Sequence, residues 1–134
     1  MLTKLAMASF FALTAFGQFR LSKASIVILS VTDLNKSVDF YRDRLGLKLT
    51  TTNEDFAFFD AGGFTLALRA GLADRSNLTA TEIAFAVEHV KAAHLALRTQ
   101  GVEFKREPRV ITGTTWATDF RDPDGHALSI VGPE

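Results

Sequence analysis

The chain contains no cysteine. Disulfides, thiolate nucleophiles and thiolate metal sites are therefore excluded, and nothing follows about compartment. It also lacks an excess of charge of either sign: 15 Lys and Arg balance 15 Asp and Glu. A neutral chain has no electrostatic footprint for nucleic acid or for a strongly acidic partner. The balance is uneven along the chain. Residues 1–23 hold Lys4, Arg20 and Lys23 with no acid, which leaves residues 24–134 at a formal −3. Low-complexity tracts are absent. What is present is 47% hydrophobic residues in 134, enough for one domain with a real core.

Residues 1–23 form an apolar N-terminal extension of distinct composition. Lys4 precedes a run from Leu5 to Phe16 interrupted only by Ser9 and Thr14. Ala15-Phe16-Gly17 sets small residues where a signal-peptide cleavage site before Gln18 would need them. The run is too short to span a bilayer. Two readings stand: an apolar helix that packs on its own domain or on a partner chain, or a secretory signal over residues 1–17. The first implies a cytoplasmic protein without membrane contact, the second an exported one.

The rest of the chain reads as one unit used twice. Apolar runs end at Val31 and Val87, a helical pattern follows each, and Gly46 and Gly101 stop the helices. Each half then reaches an Asp placed three residues before a Gly, Asp60 to Gly63 and Asp122 to Gly125, and a strand follows. The unit is strand, helix and three strands, over residues 24–70 and again over 80–132. Two copies cannot make a solenoid, so the reading is a single domain over residues 24–134 with pseudo-symmetric halves. Strands are expected at residues 25–31, 47–52, 55–59, 64–69, 81–87, 102–106, 115–120 and 127–131. Helices are expected at residues 34–45, with Asp33 as N-cap, and on the face spaced by Val90, Ala93, His94 and Leu97. Residues 107–113, with Pro108 and Gly113, read as a loop.

The order Val31-Thr32-Asp33-Leu34, Ser37, Phe40-Tyr41, Leu45-Gly46-Leu47, Gly101-Val102-Glu103-Phe104 and Asp122-Pro123-Asp124-Gly125-His126 resembles the vicinal oxygen chelate superfamily of glyoxalases, bleomycin-resistance proteins and dioxygenases. The resemblance implies an α+β fold of two βαβββ modules whose mixed sheet curls around a cleft. It implies a reaction far less firmly.

Metal-dependent members of that superfamily hold a divalent ion on inward side chains of the first and last strand of each module. Motif spacing and the internal repeat place those positions at Ile26, Ala67, Glu82 and Ser129. Only Glu82 is a good ligand, and catalytic ions normally take about three protein ligands. No metal and no cofactor are therefore expected. His89 and His94 fall at or in the second helix, and His126 follows the turn glycine, where a turn or surface role is expected.

Glu82 is the one candidate catalytic residue, as a general base if the cleft is apolar enough to raise its pKa. Arg69 and Arg109 are candidates to pair with it or to hold an anionic ligand group. Strand alternation points Ile26, Ile28 and Ser30 inward from one module, and Glu82, Ala84 and Ala86 from the other. Trp116 and Thr118 are expected beside them, with Ser129, and Phe56 and Phe58 closing the far side. The candidate ligand-binding set is Ile26, Ile28, Ser30, Phe58, Glu82, Ala84, Trp116, Thr118 and Ser129. A cleft so lined suits a small hydrophobic or aromatic molecule. Three functions follow: a metal-independent binding protein of the bleomycin-resistance kind, expected as a homodimer; a metal-dependent lyase, isomerase or dioxygenase; or an accessory protein that recruits a partner through its apolar N-terminus.

Overall fold

The computed structural model describes residues 20, 24, 26–76, 78 and 81–134. The readings made for the N-terminal extension lie outside the described residues, apart from an exposed Arg20. Among the described residues no helix is long and apolar enough to cross a membrane.

The first module begins with strand β1 (Ile26–Val31), whose β-branched residues suit a pleated surface. Asp33 then caps helix α1 (Leu34–Asp39) by accepting from the Lys36 N–H at 3.0 Å. The helix does not end there. It widens into a π-helical turn, Phe40–Arg44, in which the Leu45 N–H reaches back to the Phe40 carbonyl. The wide turn carries the adjacent rings of Phe40 and Tyr41, both buried. Gly46, at φ 75°, turns the chain out of it. Strands β2 (Lys48–Thr52), β3 (Phe56–Asp60) and β4 (Thr65–Ala70) complete a four-stranded sheet in the order β1-β4-β3-β2, with β1 and β4 parallel. The β2–β3 turn is set by Asn53, whose side-chain oxygen accepts from the N–H groups of Asp55 and Phe56.

The second module repeats the arrangement. Strand β5 (Glu82–Ala86), helix α2 (Val90–Thr99) and strands β6 (Arg109–Thr112), β7 (Thr115–Arg121) and β8 (Ala127–Gly132) give a sheet ordered β5-β8-β7-β6, with β5 and β8 parallel. One element departs from the sequence reading. Residues 102–106 are not a strand: the Val102 N–H closes the end of α2 on the Leu97 carbonyl at 3.0 Å, and only Phe104 makes an isolated bridge, to Phe120. The strand is β6, inside the expected loop, directly after Pro108. It is an exposed edge strand, where a neighbouring proline costs no ladder bond and the β-branched run Val110-Ile111-Thr112 can pair with β7.

Both helices lie on one side of their sheets, and the alternation of burial follows. Leu29, Val31, Ala57, Phe59, Leu66 and Leu68 face the helix in the first module, and Phe120, Leu128 and Ile130 in the second. These residues and Tyr41 belong to one hydrophobic cluster that runs through both modules. Burying a side chain such as Leu66, which has no exposed surface, stabilises by about 1.5–3 kcal/mol.

Polar contacts join the modules around the turn before β8. The Tyr41 hydroxyl donates to Asp122 Oδ2 at 2.9 Å, while Asp122 Oδ1 accepts from the N–H groups of Asp124, Gly125 and His126. Asp124 accepts from the Thr32 hydroxyl at 2.7 Å and pairs with Arg75 at 3.1 Å. Of the turn or surface role expected for His126, the turn holds and the surface does not: its backbone N–H donates to Asp122, its ring is buried, and Nε2 donates to the Ser30 carbonyl at 2.7 Å, which ties the start of β8 to β1. Burial pushes the Asp122 carboxyl up, against the hydrogen bonds and His126, which favour its charge. Burial, and then the Asp122 charge, also push the Tyr41 phenol upward, so the phenol stays a donor.

Candidate functional site

Each sheet has a second face, turned away from its helix. On the first module this face carries Ile26, Ile28 and Ser30 of β1. The register places Thr65, Ala67 and Arg69 of β4 beside them, and Phe56 and Phe58 of β3 next. It is largely apolar. Ile26 and Ile28 are 50% and 51% exposed, and the rings of Phe56 and Phe58 stack at 5.7 Å. Arg69 donates to the Ser30 hydroxyl at 3.1 Å, so it is not a partner of Glu82.

On the second module the open face carries Glu82 and Ala84 of β5, Ala127, Ser129 and Val131 of β8, and Ala117, Asp119 and Arg121 of β7. They line a concavity of about 430 Å³ closed at its rim by Arg106 and Arg109. Asp119 pairs with Arg106 at 3.1 Å and with Arg109 at 3.6 Å. Glu82 is exposed and has no ion pair or side-chain hydrogen bond among the described residues, and Arg109 is engaged elsewhere. The site is thus more polar than alternation suggested, and Glu82 stands in water rather than in an apolar pocket.

The nine expected ligand-binding residues fall into three groups. Ile26, Ile28, Ser30 and Phe58 share the first open face, and Glu82, Ala84 and Ser129 share the second. Trp116 belongs to neither, while Thr118 borders the second concavity with its side chain turned away from it. On β7 they pair with Gly132 and Ile130, which puts them on the helix side. There Lys91 of α2 lies over the Trp116 ring at 4.5 Å, and the Thr118 hydroxyl donates to the Arg106 carbonyl. The strand runs to Arg121 on the open face, so counting from its other end would have set the parity correctly. Arg106, Asp119 and Arg121 were not singled out in the sequence. For Asp119 and Arg121 the signal was available in their alternation with Ala117.

A divalent ion does not fit the four positions that motif spacing and the internal repeat assign to it. Ile26 and Ala67 offer no donor, Ser129 offers a neutral hydroxyl, and Glu82 is a lone carboxylate. Among the described residues no group of three His, Asp or Glu side chains could hold a metal. Of the histidines, His89 is exposed at the start of α2, and buried His94 packs edge-on against Phe104 at 4.5 Å.

The family model of the Glyoxalase/Bleomycin resistance protein/Dioxygenase superfamily matches residues 23–130. The chain belongs to this superfamily. A metallothiol transferase FosB of Staphylococcus haemolyticus is 34% identical over 64 residues, 48% of this chain, and the match spans only 43% of that protein. A probable lactoylglutathione lyase of Vibrio cholerae is 30% identical over 118 residues, covering 78% of this chain and 86% of that one. The crystal structure of a superfamily protein from Nocardioides superposes with a TM-score of 0.81 at 21% identity, covering 94% of this chain and 93% of that one. The likeness is one of fold: two βαβββ modules, as the strand orders show.

Proposed function

We propose that this chain is a metal-independent small-molecule binding protein of the superfamily. The observation that carries the reading is the residue set Ile26, Ala67, Glu82 and Ser129 at the positions where metal-dependent members need ligands. The ligand is a small hydrophobic or aromatic molecule with a polar end. Ile26, Ile28, Phe56 and Phe58 would take its apolar part. The polar concavity of Glu82, Arg109 and Arg121 would take the other. The working form is a homodimer, because half-exposed Ile26 and Ile28 leave an apolar sheet face that a second copy would cover.

The test is a thermal-shift screen of aromatic compounds, followed by titration of the hits. Saturable binding that falls about tenfold or more in Ile28→Glu, a loss of about 1.4 kcal/mol, is the expected result. A panel with no saturable binder, or hits untouched by Ile28→Glu and Glu82→Gln alike, would overturn it.

The names of the relatives favour a second reading, a metal-dependent enzyme whose ion rests on Glu82 and on ligands away from the four positions above. Bound metal that is lost in Glu82→Ala would support it.

A further inference from the structure

A charged groove also opens on the helix side. It lies between α1 with its π-helical turn on one wall and residues 101–105 and 119–123 of the second module on the other, and encloses about 410 Å³. Lys36, Phe40 and Arg44 recur every four residues and so present one face of the first wall. Lys105 and Glu103 stand on the other, and Phe104 and Phe120, with ring centroids 5.2 Å apart, join Phe40 as an aromatic floor.

The charges in this groove are not balanced from within. Asp119 is held by Arg106 and Arg109, and Asp122 by Tyr41 and backbone N–H groups. Among the described residues the side chains of Lys36, Arg44, Lys105 and Arg121 have no hydrogen bond or ion pair, and Glu103 is the one carboxylate lining the groove that is equally unpartnered. Four free cations against one free carboxylate leave an excess of positive charge to be met, two charges of it even without Arg121, which also borders the open face. Surface lysines scattered singly would not converge on one concavity of ligand size.

The geometry points to a second ligand site here, for a small aromatic molecule carrying a doubly charged oxyanion such as a phosphate monoester. Such a group carries about −1.5 to −2 charges at neutral pH. Arg44 and Lys105 clamp the oxyanion from opposite walls with charge-assisted hydrogen bonds, and the ring lies on the phenylalanine floor. Because the walls belong to different modules, the ligand also ties them together. Asp119 and Arg121 border both this groove and the open-face concavity, whereas Arg44 and Lys105 do not line the concavity.

The test is titration of the full-length protein with phenyl phosphate, followed by backbone amide NMR, with inorganic phosphate as comparison. Saturable shifts confined to Gly101, Lys105 and Phe120 are expected, with inorganic phosphate bound about tenfold more weakly for want of the ring. Arg44→Gln with Lys105→Gln should weaken phenyl phosphate by about tenfold or more, while Glu82→Gln leaves it unchanged. Both substituted side chains are exposed and unpartnered, so the fold should persist, and Lys36→Gln gives an independent check. Shifts centred on Glu82 and Ser129, affinity unaltered in the double variant, or no saturable shift would each overturn the proposal.

Discussion

Replacing Asp122 with alanine is expected to lower the free energy of unfolding by about 3–5 kcal/mol, close to the limit for single substitutions. The carboxylate satisfies the Tyr41 hydroxyl and three successive backbone N–H groups at 2.8–3.0 Å. Tyr41 has no exposed surface, so its hydroxyl would lose its acceptor inside the core. Each buried donor stranded in this way costs about 1–3 kcal/mol. Tyr41→Phe deletes the donor along with its bond and should cost only about 1 kcal/mol. Urea unfolding of the two variants gives the comparison, and near-equal effects would contradict this account of the turn.

Asp122 also carries a pH signature. Its folded-state pKa is raised by burial, so the folded chain holds the proton more tightly than the unfolded chain. The stability this provides is fully present below the unfolded value of about 3.9 and is lost as pH rises through the folded pKa. The stability gap between the native protein and Asp122→Ala should therefore widen on acidification. A gap that narrows toward low pH would show that the hydrogen bonds, not burial, dominate.

Gly132→Ala is expected to destabilise by about 3 kcal/mol, at the upper end of overpacking effects. A methyl carbon at Gly132 would sit 2.1 Å from the Val87 carbonyl oxygen and 3.2 Å from its carbon. The segment cannot simply slide away. The Val87 N–H bonds to the Val131 carbonyl at 3.0 Å and the Val90 N–H to the Pro133 carbonyl at 2.9 Å, so the end of β8 is clamped on the turn that starts α2. The glycine thus serves close approach of two backbones, not a turn. Loss of amide protection at Val87 and Val90 should accompany the lower Tm. A stability change below about 0.5 kcal/mol would mean that this contact is looser than described.

The repeat was legible in the sequence because each module buries its sheet on a helix, and that imposes the same apolar spacing twice. Val31 with Val87 and Gly46 with Gly101 mark equivalent points of the two copies. The Asp-to-Gly turns were legible as turns, yet not in their difference. Among the described residues the exposed Asp60 carboxylate accepts only from the Gly62 N–H, whereas Asp122 is buried and joins the modules. Nothing local in Asp122-Pro123-Asp124-Gly125-His126 reports that Tyr41, Thr32 and Ser30 lie across it, because those contacts span 81–96 residues. The same limit hid β6, which pairs only through β7. The strand faces were legible wherever a strand began at a marked point, as β1 and β5 do. β7 was misread by a single step in parity, which turns Trp116 and the Thr118 side chain to the helix side and Ala117 and Asp119 to the open face, with Thr118 still bordering the concavity.

The central claim, that this member of the superfamily works without a bound metal, is tested most directly by elemental analysis of the protein purified without chelators or a histidine tag. The account predicts metal far below one equivalent, and no affinity for added Mn²⁺, Ni²⁺ or Zn²⁺ in calorimetry. Near-stoichiometric metal that survives gel filtration and disappears in Glu82→Ala would contradict it and make the chain a metalloenzyme with ligands beyond Ile26, Ala67 and Ser129.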